Sequence, residues 1–256
     1  AATGGGPAAP SPLISTKFAD NEASRWKPLS GQWVWERERL VQKQVGNFAT
    51  ILLDQPTLPS QFRVRLRYKP LAEGSLRSIG FSYDYLDAGN SQDVYTSTGN
   101  DRQTIQAFFR LNGQQVYPPA GIVAVQLKVD AEATIEAEVR GTQLSLSLQG
   151  EKKLEYPLPV PRREGKFALW VHAGTAEFLE LEIVPLVASL EDLRRDTRAA
   201  RQAVALQERK IATAQAELDS LVARLAAERA KYGVDASPNS PPNTTPDSSS
   251  TDAARR

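Results

Sequence analysis

Between Thr16 and Pro185 the chain alternates apolar and polar residues. Phe62, Val64, Leu66 and Tyr68 interleave with Arg63, Arg65, Arg67 and Lys69. Leu144, Leu146 and Leu148 interleave with Ser145, Ser147 and Gln149, and Leu179, Leu181 and Ile183 with Glu180 and Glu182. A period of two sends successive side chains to opposite faces of a strand, one face to a core and one to water, as in antiparallel sheet. Turn signals such as Gly46-Asn47, Glu73-Gly74, Ala88-Gly89-Asn90, Asn112-Gly113, Arg140-Gly141, Gln149-Gly150 and Ala173-Gly174 punctuate the pattern. The spacing predicts about eleven or twelve strands over 16–186 and no amphipathic helix among them. A closed single sheet can hold that many strands; a two-sheet antiparallel sandwich of jelly-roll type holds them better.

At Leu186 the period changes. Apolar residues now recur at alternating steps of four and three: Leu190, Leu193, Ala200, Val204, Ile211, Ala214, Leu218, Leu221, Leu225 and Tyr232, with Thr197, Gln207 and Glu228 as the polar members. A repeat of 3.5 residues, uninterrupted by Gly or Pro, predicts one long C-terminal α-helix over 187–233 with a coiled-coil seam. Ser189 and Asp192 have the spacing of a capping box, Glu191 and Asp192 suit the positive end of the helix dipole, and Lys231 and Gly233 mark the stop. At ~1.5 Å per residue the helix is roughly 65 Å long, more than a small domain can cover. Its stripe calls for a partner helix, either in a second copy of the chain or elsewhere in a parent protein. A solvated single helix held by charge pairs is the alternative.

The flanks differ in composition. Residues 1–15 are rich in Gly, Ala and Pro and read as a linker; residues 234–256 are rich in Pro, Ser, Thr and Asn and read as a disordered tail. The absence of Met anywhere points to a processed chain or an excised fragment of a larger protein. The absence of Cys removes disulfides and thiol chemistry, and a lone histidine, His172, removes multi-histidine metal sites. A net charge of +1 argues against nucleic acid as a principal partner. No apolar run approaches the ~18 residues of a membrane-spanning helix.

Several short segments, in order, carry a family resemblance: Gly31-Gln32-Trp33-Val34-Trp35, Phe62 to Tyr68, Ser78-Ile79-Gly80-Phe81-Ser82-Tyr83-Asp84, Asp93-Val94-Tyr95, Val116-Tyr117-Pro118-Pro119, Val139 to Leu144, Tyr156-Pro157-Leu158-Pro159, and Phe167 to Phe178. Together they resemble the concanavalin A-like (laminin-G-like) jelly-roll module of large planctomycete proteins. Those proteins also carry cytochrome-c-like modules and domains of unknown function, and in them the lectin-like module precedes a helical coil. The resemblance spans about residues 18–232. It implies an exported, extracytoplasmic setting and a carbohydrate-related role; the fold itself hosts lectins, glycosidases and inert spacers alike.

Sugar binding needs a flat aromatic surface and planar polar groups. Alternation puts Ala168, Trp170 and His172 on one face, Gln106, Phe108 and Arg110 on another, and Tyr83 and Tyr85 on the face of Phe81. Trp170, His172, Phe108, Gln106, Arg110 and Tyr85 are therefore the candidate ligand-binding set. If these aromatics are buried, a purely structural spacer gains. Calcium is common in laminin-G-like folds, and Asp84, Asp87, Asn90 and Asp93 supply hard oxygen ligands, so Asp84, Asp87 and Asp93 are the candidate metal residues. Glycoside hydrolysis needs two carboxylates. Glu136 and Glu138 share a strand face, but the Glu-x-Asp-x-x-Glu pattern of the jelly-roll glucanases is absent from Ile135 to Arg140. The basic stripe Arg63, Arg65, Arg67 and Lys69 requires carboxylates on neighbouring strands, from Glu180 and Glu182 or from Glu36 and Glu38. The expectation is a non-catalytic carbohydrate-binding or protein-interaction module of a larger exported protein, with a coil that spaces or oligomerises it. A glycan-active hydrolase or lyase of the same fold is the alternative.

Overall fold

A computed structural model of the chain describes residues 10–99 and 103–232. The proposed tail at 234–256 and most of the proposed linker lie outside the described residues. The chain forms two compact units, one ending at Ala199 and the other starting at Ala200.

The first unit is an antiparallel jelly-roll sandwich. Its strands are β1 (Ile14–Thr16), β2 (Trp26–Pro28), β3 (Trp33–Trp35), β4 (Leu40–Gln42), β5 (Ala49–Leu53), β6 (Gln61–Asp87) and β7 (Asn90–Ser97). After them come β8 (Thr104–Leu111), β9 (Gln114–Val116), β10 (Ile122–Ala124), β11 (Ala133–Arg140), β12 (Gln143–Leu148), β13 (Glu151–Pro157) and β14 (Lys166–Pro185). Among the described residues these fourteen exceed the expected count, because three-residue strands leave no periodicity to read. β1 illustrates the point: it lies partly in the Pro-rich stretch, yet Ile14 is buried and pairs with Ile183.

Two strands build both layers. The first part of β6 pairs with β11 and with the last part of β14; the second part pairs with β7 and with the first part of β14. Both strands turn where Gly74 faces Gly174. A Cβ on Gly74 would lie 2.3 Å from the Ala173 carbonyl oxygen, and one on Gly174 would lie 2.6 Å from Arg77 Cα, so only glycine fits this corner. The first layer runs β13-β12-β11-β6-β14 with β1 and β4 beyond; the second runs β10-β8-β7-β6-β14-β5-β2.

One core lies between the layers. Phe62, Val64, Leu66 and Tyr68 point inward from the first layer and are fully buried, as are Ile79, Phe81 and Leu169 from the second. Phe62 meets Tyr83 edge-on across the core at 5.7 Å between ring centroids. The outward faces of the same strands carry charge. Arg67 reaches Glu180 at 3.3 Å and Glu132 at 3.0 Å, and Arg63 reaches Glu182 at 3.9 Å. Glu180 and Glu182 thus answer the basic stripe; Glu36 pairs with Lys43 instead.

The helix α1 spans Leu190–Lys231. Its start is the capping box read from the sequence: Ser189 Oγ accepts from Asp192 N at 3.0 Å, and Asp192 Oδ2 accepts from Ser189 N at 3.0 Å. Within the first unit, Arg140 Nη1 donates to Asp192 Oδ2 at 3.4 Å and Arg195 Nη2 donates to the Arg140 carbonyl at 3.1 Å. In the single chain the seam is open to water, Leu218, Leu221 and Leu225 being 53, 57 and 57% exposed.

Candidate functional site

The outer face of the second layer is built by register. Trp170 on β14 faces Gly80 on β6, Gly80 faces Tyr95 on β7, and Tyr95 faces Gln106 on β8. Gly80 leaves a gap in this row, and the rings on either side close over it, with Tyr95 and Trp170 centroids 5.3 Å apart. A Cβ on Gly80 would sit 2.5 Å from Tyr95 Cβ and 2.1 Å from the Val94 carbonyl oxygen. The next row places Phe108 beside Asp93 and Asp93 beside Ser82. Phe108 meets Tyr95 edge-on at 5.6 Å and Trp170 at 6.1 Å.

Two loops raise walls around this floor. The turn before β5 carries Asn47 and Phe48; Phe48 stacks on His172 at 4.5 Å and leans on Trp170 at 5.2 Å. The β8–β9 hairpin and the segment after it carry Gln115 and Tyr117. Tyr117 stacks on Phe108 at 4.7 Å and donates its hydroxyl to Gln115 Oε1 at 2.7 Å. The result is a cleft of about 410 Å³, with Ser78, Leu76 and His172 at the end nearest the glycine corner. Trp170 and Phe108 are only 1 and 2% exposed, whereas Tyr117 is 41% exposed, so the rings a ligand meets first are Tyr117 and the half-buried Phe48.

Beside the floor, on the same sheet face, lies a buried ion pair. Arg110 Nη2 donates to Asp93 Oδ1 at 3.1 Å, and both side chains are almost fully covered. Ser82 and Ser91 each donate a hydroxyl to Asp93 at 2.6 Å. The Trp170 indole N–H is buried, lacks a hydrogen-bond partner, and lies near enough to Asp93 to favour its charge. Burial still dominates and raises the Asp93 pKa, against the opposing pull of Arg110. The Arg110 guanidinium also lies over the Phe48 ring at 4.3 Å and near Phe108 at 5.5 Å, a cation–π arrangement that ties the wall to the floor. Burial first, then the Arg110 charge, lower the His172 pKa, so its ring is neutral at pH 7.

Of the six residues chosen from sequence, Trp170, His172 and Phe108 line the cleft. Arg110 lies beside it, over the Phe48 ring. Gln106 is on the same face but turns its amide to Thr104 Oγ1 at 2.6 Å. Tyr85 is elsewhere, packed with Leu52 and Ala168. Alternation put it with Phe81 and Tyr83; Asp84 instead adopts φ +52°, the strand register shifts there, and Tyr85 leaves the core cluster that holds the other two. Sequence reading missed Asn47, Phe48, Leu76, Ser78, Tyr95, Gln115 and Tyr117. Tyr95 had a strand-based signal through the face it shares with Asp93, and Ser78 through the face it shares with Gly80 and Ser82.

The candidate metal residues are engaged separately. Asp84 takes a bidentate pair from Arg162, at 2.7 Å for each bond, together with the Arg163 backbone N–H. Asp87 caps its own turn through Gly89 N and Asn90 Nδ2, and Asp93 holds Arg110. Among the described residues no three His, Cys, Asp or Glu side chains converge as a metal site. Glu136 and Glu138 are on the outer face of the first layer, opposite Arg65 and Arg63.

No family model and no curated protein matches the chain. Solved structures do. A carbohydrate-binding module, CBM66 from Bacillus subtilis, matches with a TM-score of 0.56 at 18% identity, covering 62% of this chain and 95% of that one. A Bacillus licheniformis β-glucanase matches with a TM-score of 0.54 at 12% identity, covering 69% and 99%. The exoplasmic/lumenal domain of VIP36 in its Ca2+/Man-bound form matches with a TM-score of 0.54 at 10% identity, covering 68% and 91%. At these identities the likeness is one of fold: the chain shares an antiparallel jelly roll with these three structures.

Proposed function

We propose that the β-sandwich is a non-catalytic module that binds a neutral glycan in the Tyr117–Phe48 cleft, within a larger exported protein of the kind the sequence resembles. The helix spaces or oligomerises it. The observation that carries this reading is the cleft lining. Aromatic rings form its floor and walls, and Asn47, Gln115 and Ser78 offer planar amides and a hydroxyl for sugar hydroxyls. Among the described residues none in the lining is charged at pH 7, which suits a neutral sugar and leaves no acid pair for hydrolysis. Glu136 and Glu138 are on the other layer, paired there with Arg65 and Arg63. Two structural neighbours, a carbohydrate-binding module and a Man-bound exoplasmic/lumenal domain, support the same reading, and the second supports an extracytoplasmic location.

A second reading, a purely structural spacer, draws on the burial of Trp170, Phe108 and Tyr85. A screen of immobilised neutral oligosaccharides with the full chain, run beside Tyr117→Ala, separates the two. Binding that disappears in the variant supports the module; no binding by either chain supports the spacer.

A further inference from the structure

We infer that α1 pairs with the same helix of a second copy of this chain, antiparallel, with Ile211 beside the partner's Ala214. The inference takes up the helix half of the proposed function and stands whether or not the cleft binds a glycan.

Two features of α1 select the occupant and its direction. The first is side-chain volume along the seam. Antiparallel pairing centred between Thr213 and Ala212 overlaps nearly the whole helix and sets large against small where Ile211 meets the partner's Ala214 and Ala200 meets the partner's Leu225. Val204 meets the partner's Leu221, and Thr197 meets the partner's Glu228. Parallel pairing would instead stack each residue on itself. That leaves gaps at Ala200 and Ala214 and puts Glu228 against the partner's Glu228, a like-charge contact in the seam.

The second feature is charge beside the seam. In the antiparallel register Lys210 faces the partner's Glu217, and the pair occurs twice by symmetry. Shifting the register by one heptad either way faces Lys210 with itself or with Arg224. In the parallel arrangement Lys210 faces Gln215, Glu217 faces Val222, and Arg224 faces Arg229, so only Asp196, facing Arg201, meets an opposite charge. The antiparallel register has one opposed pair, Arg194 with the partner's Arg229, at the two ends of the rod, where water screens it. The seam residues Val204, Ile211, Leu218, Leu221 and Leu225 are 53 to 67% exposed in the single chain, so the surface to be covered is present.

Cysteine cross-linking tests direction directly, because the chain has no cysteine of its own. Full-length Val204→Cys and Leu221→Cys chains are mixed at tens of micromolar and oxidised. The expected product is a disulfide between the two variants, with little of either homodimer. Homodimeric disulfides at each position would overturn the inference in favour of parallel pairing and leave oligomerisation by the helix intact. A monomeric parent chain by light scattering would overturn both. As an independent arm, Lys210→Glu weakens the dimer about tenfold or more, and adding Glu217→Lys restores it. An unchanged dissociation constant in Lys210→Glu contradicts the register.

Discussion

Arg110 and Asp93 meet at 3.1 Å beside the cleft, and the same guanidinium lies 4.3 Å over the Phe48 ring. A buried charge pair is costly to break, since the survivor is left desolvated and alone. Arg110→Met alone should therefore lower unfolding free energy by about 3–5 kcal/mol in a denaturant titration. The double variant Arg110→Met with Asp93→Leu should lose less than Arg110→Met does. A double loss equal to the sum of the singles would mean that the pair is not coupled.

Gly80 is the tile on which Trp170 and Tyr95 meet. The atoms that a Cβ there would strike include the Val94 carbonyl oxygen and Tyr95 Cα, both backbone, so relief requires the strands to part. Gly80→Ala should cost about 3 kcal/mol, at the upper end for overpacking, and should alter the near-ultraviolet circular dichroism of the aromatic cluster. A stability unchanged within error would show that β6 and β7 yield at this point.

The two layers, the long helix and its cap were legible in the sequence because each is local and periodic. Phe62 to Tyr68 declare their faces at every second residue, and Ser189 and Asp192 lie in one turn. The carboxylates opposite Arg63 and Arg67 were legible for the same reason, since Glu180 and Glu182 alternate on their own strand. The cleft was legible only in its floor. Phe48 and Tyr117 come from connections outside strand alternation, about 70 residues apart in sequence, and nothing local says that they flank one floor. Tyr85 was misplaced because one residue in the left-handed region, Asp84, resets a period-two reading for everything after it.

His172 is the one histidine, so its imidazole signals in an NMR titration are unambiguous. Its pKa in the folded chain should fall below the ordinary 6.5, through burial first and then the Arg110 charge. The unfolded chain then takes up the proton before the folded chain does. Stability attributable to this group is whole above pH 6.5 and is lost as pH falls toward the folded pKa. The parent chain should lose stability relative to His172→Phe between pH 7.5 and 5. A folded pKa at or above 6.5 would refute this environment.

At the helix start, Ser189→Ala should cost about 1 kcal/mol by removing the cap. Asp192 is held down to about 2, by the Ser189 hydroxyl and backbone N–H first and Arg195 after them. A carboxylate whose pKa is depressed on folding contributes stability above its unfolded pKa and loses it as pH falls through the folded value. The stability gap between the parent chain and Asp192→Asn should thus be constant above about pH 5 and close toward pH 2. A gap independent of pH down to 2 would show that the carboxylate charge does not hold the cap.

On the proposed function, the cleft binds sugar through its exposed rings. Calorimetric titration of the full chain with a neutral oligosaccharide taken from the screen, beside Tyr117→Ala, tests it most directly. The expected result is saturable binding by the parent chain, weakened about tenfold in the variant, with the melting temperature of both nearly equal. Equal affinity in the two chains, or no saturable binding of any neutral oligosaccharide, would contradict it.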